Sequence, residues 1–334
     1  MVLNFYAGPT ALPAPVMAQP AFGKATLACV VQNTGTLTTQ LLADWEQAAR
    51  RGEPVDVLDD MQHLATRVIG MALFSRDLEN DLQAGLADTA GADPRGTRGA
   101  NCFTETVRAG VQVVALRNVG PAPLPLWVPT RLHRRFRRGL AAVDRFVYAR
   151  IDERLADPGG YDDMLADLVR SYGDQAAAAD ARRELRDQVV TLFFAGFETT
   201  AVALAWTWLL LGQHQAAEAR FHQELAAVLG GRAPAAEDLK ALGYTGQVVE
   251  ESRRMYSPVY TLTRQEQRAA YLPFSFGQRR CLGAGFATVE MMTVLAVAGQ
   301  RVRLRPASAE PVTIIPAVTQ RPAGGLPMLV EVRS

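Results

Sequence analysis

The chain has 334 residues, 49% hydrophobic and 21% charged, a length and composition that suit one large globular domain with a sizeable core. Its formal net charge of +1 gives no electrostatic case for nucleic acid or an anionic membrane as partner. Cys29, Cys102 and Cys281 are odd in number and far apart, which argues against a disulfide framework and suits a reducing cytoplasm.

No basic residue precedes Lys24, so Met1 to Pro20 is not expected to be a secretory leader. Leu41 to Arg51 (LLADWEQAARR) has helical spacing and a basic end. Asp56 to Phe74 forms an amphipathic helix after the breaker Pro54. Gly91 to Gly99 is polar and glycine-rich, a loop. Gly120 to Pro129 carries four prolines and is expected to be an extended arm that packs Leu124, Leu126 and Trp127. Arg131 to Arg138 (RLHRRFRR) opens a helix that runs on through Leu155, with its arginines on a solvated face.

Asp157 to Gly160 is a turn, Tyr161 to Tyr172 a short helix, and Ala176 to Asp180 a small-residue linker. Glu184 to Gln213 is the long central helix. Its stretch Val189 to Gly212 is apolar for about the length of a bilayer crossing. A carboxylate in its middle, Glu198, makes a core helix the better reading. Ala216 to Leu229 is a helix stopped by Gly230-Gly231, Asp238 to Leu242 one helical turn, and Thr245 to Tyr256 a helix ended before Pro258. From Arg301 onward, short alternating runs predict a small antiparallel sheet. The fold class is mainly α with a small β part, in a single domain over 1–334.

Three segments carry chemistry. Phe274 to Gly283 reads FSFGQRRCLG and leads into an apolar helix, Leu282 to Val297, with Cys281 at its N-terminus. A cysteine that binds iron must be ionised and held away from water. Helix N–H groups lower a thiol pKa and tune an iron bound there. Phe274 and Phe276 offer apolar cover, and Gly277 and Gly283 permit close backbone approach. Arg279 suits pairing with a carboxylate. Taken alone, such a cysteine is more often a small buried hydrophobe.

The second segment is Ala195 to Thr200, AGFETT, inside the central helix. A mid-helix glycine costs up to about 1 kcal/mol and so wants a packing reason. Glu198 beside Thr199 offers an acid next to a hydroxyl, as proton delivery needs. The plainer alternative is Thr199 bonded back to a helical carbonyl and Glu198 paired with an arginine. The third segment is Glu250-Glu251-Ser252-Arg253-Arg254. Glu251–Arg254 and Glu250–Arg253 share the same spacing, so spacing alone does not choose between them.

Phe274 to Gly283 fills the pattern F-x-x-G-x-R-x-C-x-G at every position. Here the chain resembles the cytochrome P-450 superfamily of haem-thiolate monooxygenases, and over most of Leu41 to Ser334 the order of segments agrees. The resemblance implies that superfamily's helical fold. It makes Cys281 the proximal ligand of heme b (iron protoporphyrin IX), with Phe274, Gly277 and Gly283 shaping the loop and Arg279 on a propionate. Arg264 stands where a second propionate-binding residue is often found. Ala195 and Gly196 would line the distal face, Gly196 making room for dioxygen. Phe197 would face cofactor or substrate, and Glu198 and Thr199 would relay protons. The family's E-x-x-R precedes an apolar residue, an aromatic and a proline. Met255-Tyr256-Ser257-Pro258 therefore selects Glu251 and Arg254, a buried pair that holds the cysteine loop.

The implied reaction inserts one oxygen atom from O2 into an apolar small molecule. Its electrons come from a ferredoxin or flavodoxin-type donor docking on the cysteine side, in the cytoplasm, with no nucleic acid and no membrane span. Two departures are expected to leave the fold incomplete. Only 27 positions separate Arg254 from Cys281, so the family's further strands, helix and meander are lacking, an internal deletion near 264–271. The N-terminal portion before Gln19-Pro20-Ala21-Phe22 is also short, a truncated N-terminus. The alternative reading is a degenerate, inactive haem-binding or helical remnant. Glu198 and the single apolar span argue against a transporter.

Overall fold

The structure, a computed structural model, describes residues 18–78, 106, 109, 128, 130–259, 273–275, 280–316 and 319–333. The expected loop at Gly91 to Gly99 lies outside them, and so does all of the proline-rich arm except Val128.

A 3-10 turn over Gln19–Phe22 leads into α1 (Lys24–Arg51), which ends at Gly52 in the left-handed region. Strand β1 (Val55–Asp56) follows, and Asp56 caps α2 (Val57–Phe74) by accepting from the amides of Leu58 and Asp59. Thr130 caps α3 (Arg131–Ala156) and Asp163 caps α4 (Met164–Tyr172). Then come α5 (Ala179–Gln213), α6 (Gln215–Leu229), α7 (Gly243–Met255) and α8 (Ala284–Gly299). Strands β2 (Val302–Pro306), β3 (Ile314–Pro316), β4 (Gln320–Pro322) and β5 (Pro327–Val332) complete the order.

The chain is mainly helical around α5, which packs most extensively on α2 and also meets α3, α6, α7 and β2. From Thr200 to Leu209 every residue of α5 is buried, the behaviour of a helix apolar all round. This helix is long and apolar enough to cross a membrane, and 67% of its most apolar window is buried inside the protein. At Gly212 a Cβ would stand 2.4 Å from the Leu304 carbonyl oxygen, so only glycine lets α5 lie against β2. Trp206 stacks on Tyr256 at 4.2 Å and donates to the Gln320 carbonyl at 2.8 Å, which fastens α5 to α7 and β4. Helix α1 lies against α2 and α8, and Trp45 Nε1 donates to Asp60 at 2.7 Å.

Four expectations change. Helix α1 starts at Lys24, well before Leu41. Its Thr- and Val-rich first half has weak helix propensity. Packing holds it, through the buried Val30, Val31, Thr34, Leu37 and Thr38. Helix α5 begins at Ala179, inside the expected linker, and the turn near Asp238 is 3-10 and spans Asp238–Lys240. The C-terminal strands form two sheets, not one. β1, β5 and β2 pair antiparallel in that order, with Val55 opposite Met328 and Leu304 opposite Val330, while β3 pairs with β4 alone.

Candidate functional site

Cys281 sits in the turn that precedes α8. The helix starts at Ala284 with Gly283 as its N-cap, two residues later than expected. The Cys281 amide donates to the Phe274 carbonyl at 2.8 Å, which ties the two ends of the loop together. Ser275, next to Phe274, takes a positive φ of 60°, an unusual conformation for a residue with a side chain. The Cys281 side chain is open to solvent, yet burial pushes its thiol pKa up, opposed by a hydrogen bond from the Gly283 amide and by the charge of Arg280. Of the two phenylalanines expected to cover it, Phe274 has its ring 4.6 Å from the Arg253 guanidinium, and Phe276 lies outside the described residues.

Gly283 faces this sulfur. A Cβ built there would come within 4.0 Å of Cys281 Sγ and 3.8 Å of the Phe22 ring. Phe22 in turn meets Phe286 edge-on at 6.4 Å, so the 3-10 turn Gln19–Phe22 forms part of the surroundings. Gly277, Arg279 and Arg264 lie outside the described residues. Among the described residues no three His, Cys, Asp or Glu side chains cluster as metal ligands. A haem macrocycle supplies its own nitrogen ligands to an iron held by one thiolate. The soft thiolate donor, its backbone N–H donor and the open approach all fit that group.

The Glu251–Arg254 pair forms, with hydrogen bonds of 2.6 and 2.7 Å, and Arg254 holds the Glu251 carboxyl pKa down. It is not buried, however: the two side chains are 55% and 56% exposed. The buried arginine of the segment is Arg253, 6% exposed. Helix α7 turns residue 253 toward α8 and residue 254 toward solvent, which spacing along the sequence does not reveal.

In α5, Glu198 is buried and engaged on both oxygens. Oε2 accepts from Gln62 Nε2 at 2.8 Å, and Oε1 accepts from Thr319 Oγ1 at 3.0 Å with Arg321 Nη1 at 4.0 Å. Thr199 Oγ1 donates to the Ala195 carbonyl at 2.7 Å, the back-bonded arrangement weighed from sequence. The two residues are therefore neighbours in sequence whose polar atoms are committed elsewhere. Gly196 has a packing reason: a Cβ there would stand 3.1 Å from Ile69 Cδ1, so glycine lets α2 approach α5 closely. Phe197, expected to face cofactor or substrate, is buried against Phe193 with ring centroids 5.6 Å apart. Ala195 is exposed, although residues on both sides of it along α5 are buried, so the helix is left uncovered at that point.

Sequence reading missed Gln62, Thr319 and Arg321, and it weighed Arg253 but set it aside for Arg254. Gln62 left a trace, as a polar residue on an otherwise apolar face of α2 between Met61 and Ala65. Thr319 and Arg321 left none, since their approach to Glu198 depends on where the second sheet docks.

The sequence profile described as Cytochrome P450 matches residues 22–269 and 264–325. Cyclooctatin synthase of Streptomyces melanosporofaciens is 29% identical over 368 positions, covering 95% of this chain and 75% of that protein. Cyclooctat-9-en-7-ol 5-monooxygenase of the same organism is 28% identical, covering 87% and 70%. Pentalenene oxygenase of Streptomyces avermitilis is 36% identical over 137 residues, 41% of this chain and 30% of that one. The profile spans nearly all of the helices and the cysteine loop just described, and the chain belongs to the cytochrome P-450 family of haem monooxygenases.

Proposed function

We propose that Cys281 is the proximal thiolate of a bound heme b and that the chain oxygenates an apolar small molecule with O2 and electrons from a ferredoxin or flavodoxin-type donor. The observation that carries the reading is the Cys281 thiol, exposed in the turn before α8 and faced by the Gly283 amide. The two related oxygenases are named for cyclooctat-9-en-7-ol and pentalenene, an alkenol and an alkene, which supports a hydrocarbon-rich substrate. A cytoplasmic setting is supported by two free thiols, Cys29 and Cys281, and by the burial of α5 within protein.

When bound, the haem supplies dioxygen activation and transfer of one oxygen atom to the substrate. The chain supplies the rest. The Gly283 N–H stabilises negative charge on Sγ. Arg279 and Arg264 would hold the propionates. Glu198 would exchange protons through Thr319 Oγ1, with Arg321 nearby, and Thr199 Oγ1, turned away from the Ala195 carbonyl, would deliver them. Part of the family's chain is shortened between Arg254 and Cys281. In support, the profile match divides at 264–269. The first relative also aligns over 368 positions to 95% of 334 residues, about 317, leaving about fifty positions opposite gaps.

The test is to reduce the purified chain with haem, add carbon monoxide and record its absorption. A strongly red-shifted band that disappears in Cys281→Ala is expected. Well-folded protein that takes up no haem sinks the reading and leaves the inactive-remnant alternative.

A further inference from the structure

Helix α7 presents one arginine to solvent and the next to the protein. The exposed Arg254 hydrogen-bonds Glu251 within the same helix, a contact that adds little to stability at such exposure. Arg253 is buried, and a buried guanidinium is costly unless it is well engaged. Its Cζ lies over the Phe274 ring, 4.6 Å from the centroid, and its Nη1 donates to Thr288 Oγ1 at 3.4 Å. Thr288 Oγ1 donates in turn to the Ala284 carbonyl at 2.9 Å, in the first turn of α8.

These contacts bracket the ligand. Phe274 lies seven positions before Cys281 and Thr288 seven after it. Phe274 also accepts the Cys281 amide through its carbonyl at 2.8 Å. One side chain thus touches the segment on both sides of the cysteine. A guanidinium spreads its charge over the ring while a separate N–H reaches the hydroxyl; a lysine ammonium offers a single point charge instead.

We propose that Arg253, rather than Arg254, is the positioning residue that clamps the Cys281 loop onto α7, acting through the ring of Phe274 and the hydroxyl of Thr288. The proposal rests on Cys281 as the haem ligand for its functional meaning, though the clamp itself belongs to the chain alone. It also accounts for the exposed Glu251–Arg254 pair: the anchoring role has moved by one residue along the helix.

The test uses the full chain and follows hydrogen exchange of the Cys281 amide, the donor to Phe274, in the wild type, R253L, R253K and R254L. Buried α8 amides, such as that of Val294, report global opening in the same sample. R253L and R253K are expected to speed Cys281 exchange about tenfold, the weight of a desolvated cation–π contact, with α8 amides unchanged. R254L is expected to leave both unchanged. Equal acceleration by R254L, no change in R253L, or acceleration spread evenly through α8 overturns the clamp. A second measurement adds haem and records the reduced carbon monoxide spectrum. Loss of the red-shifted band in R253L but not in R254L supports the clamp. If the wild type never forms that band while the exchange pattern holds, the ligand reading fails and the clamp stands.

Discussion

Replacing Glu198 separates what the carboxylate does for the fold from what it does for chemistry. In Glu198→Ala, Gln62 Nε2 and Thr319 Oγ1 lose their acceptor, and both residues are buried. A buried donor left without a partner costs about 1–3 kcal/mol. Two such donors and a small cavity make the loss about 3–5 kcal/mol. Arg321 stands 4.0 Å away and is partly exposed, so its share is under about 1 kcal/mol. Glu198→Gln has the same shape. Its carbonyl accepts from Gln62 and its amide donates to the Thr319 hydroxyl, so the loss falls to about 1 kcal/mol or less. Both variants lose a titratable acid, and coupled product formation falls about a hundredfold in each. Urea unfolding followed by the fluorescence of Trp206 and Trp208, on the same helix, measures the first effect. Equal destabilisation by Gln and Ala would show that charge, not hydrogen bonding, holds the residue. A cost below about 1 kcal/mol for Ala would refute the network.

Gly212→Ala is expected to lose stability by about 2 kcal/mol or more despite a better helix former, because its Cβ meets the Leu304 carbonyl at 2.4 Å; a lowered denaturant midpoint checks it. Arg154→Ala strips the buried Asp163 of its 2.5 Å partner and the Phe74 carbonyl of a donor. A loss of about 3–5 kcal/mol should appear in the same assay. Burial, with Arg333 and Arg303 adding, holds the His222 pKa down at about 4. The unfolded chain, near 6.5, binds the proton more readily, so stability is full above about pH 6.5 and falls toward pH 4 by about 3 kcal/mol. His222→Gln should flatten that slope in unfolding measured from pH 7 to pH 4.

The features legible in sequence were those written in local chemistry. Asp56 announced a helix start, Pro258 an end, and the apolar run around Glu198 a core helix. The cysteine loop was legible because turn, ligand and glycine must sit close together along the chain. The first half of α1 was not, since its Thr and Val residues oppose helix locally and packing overrules them. Neither was the choice between Arg253 and Arg254. Both lie on α7, and the face turned to α8 is fixed by how the helices dock. Gly196 was recognised as needing a reason, but the reason is a side chain from α2, more than a hundred positions away.

The pairing of β1 with β5 has a consequence for how the chain is made. Asp56 caps α2, yet its carboxylate also accepts from the Leu326 amide, 270 positions later. At translation rates of about 5–20 residues per second, roughly 15–55 s pass before that partner is synthesised. Over much of this interval the apolar face of α1, with Val30, Val31 and Leu37, also waits for α8. The nascent chain leaves an apolar surface uncovered beside the ribosome for most of its synthesis. Recombinant yield therefore depends on chaperone supply during that interval as well as on the stability of the finished fold.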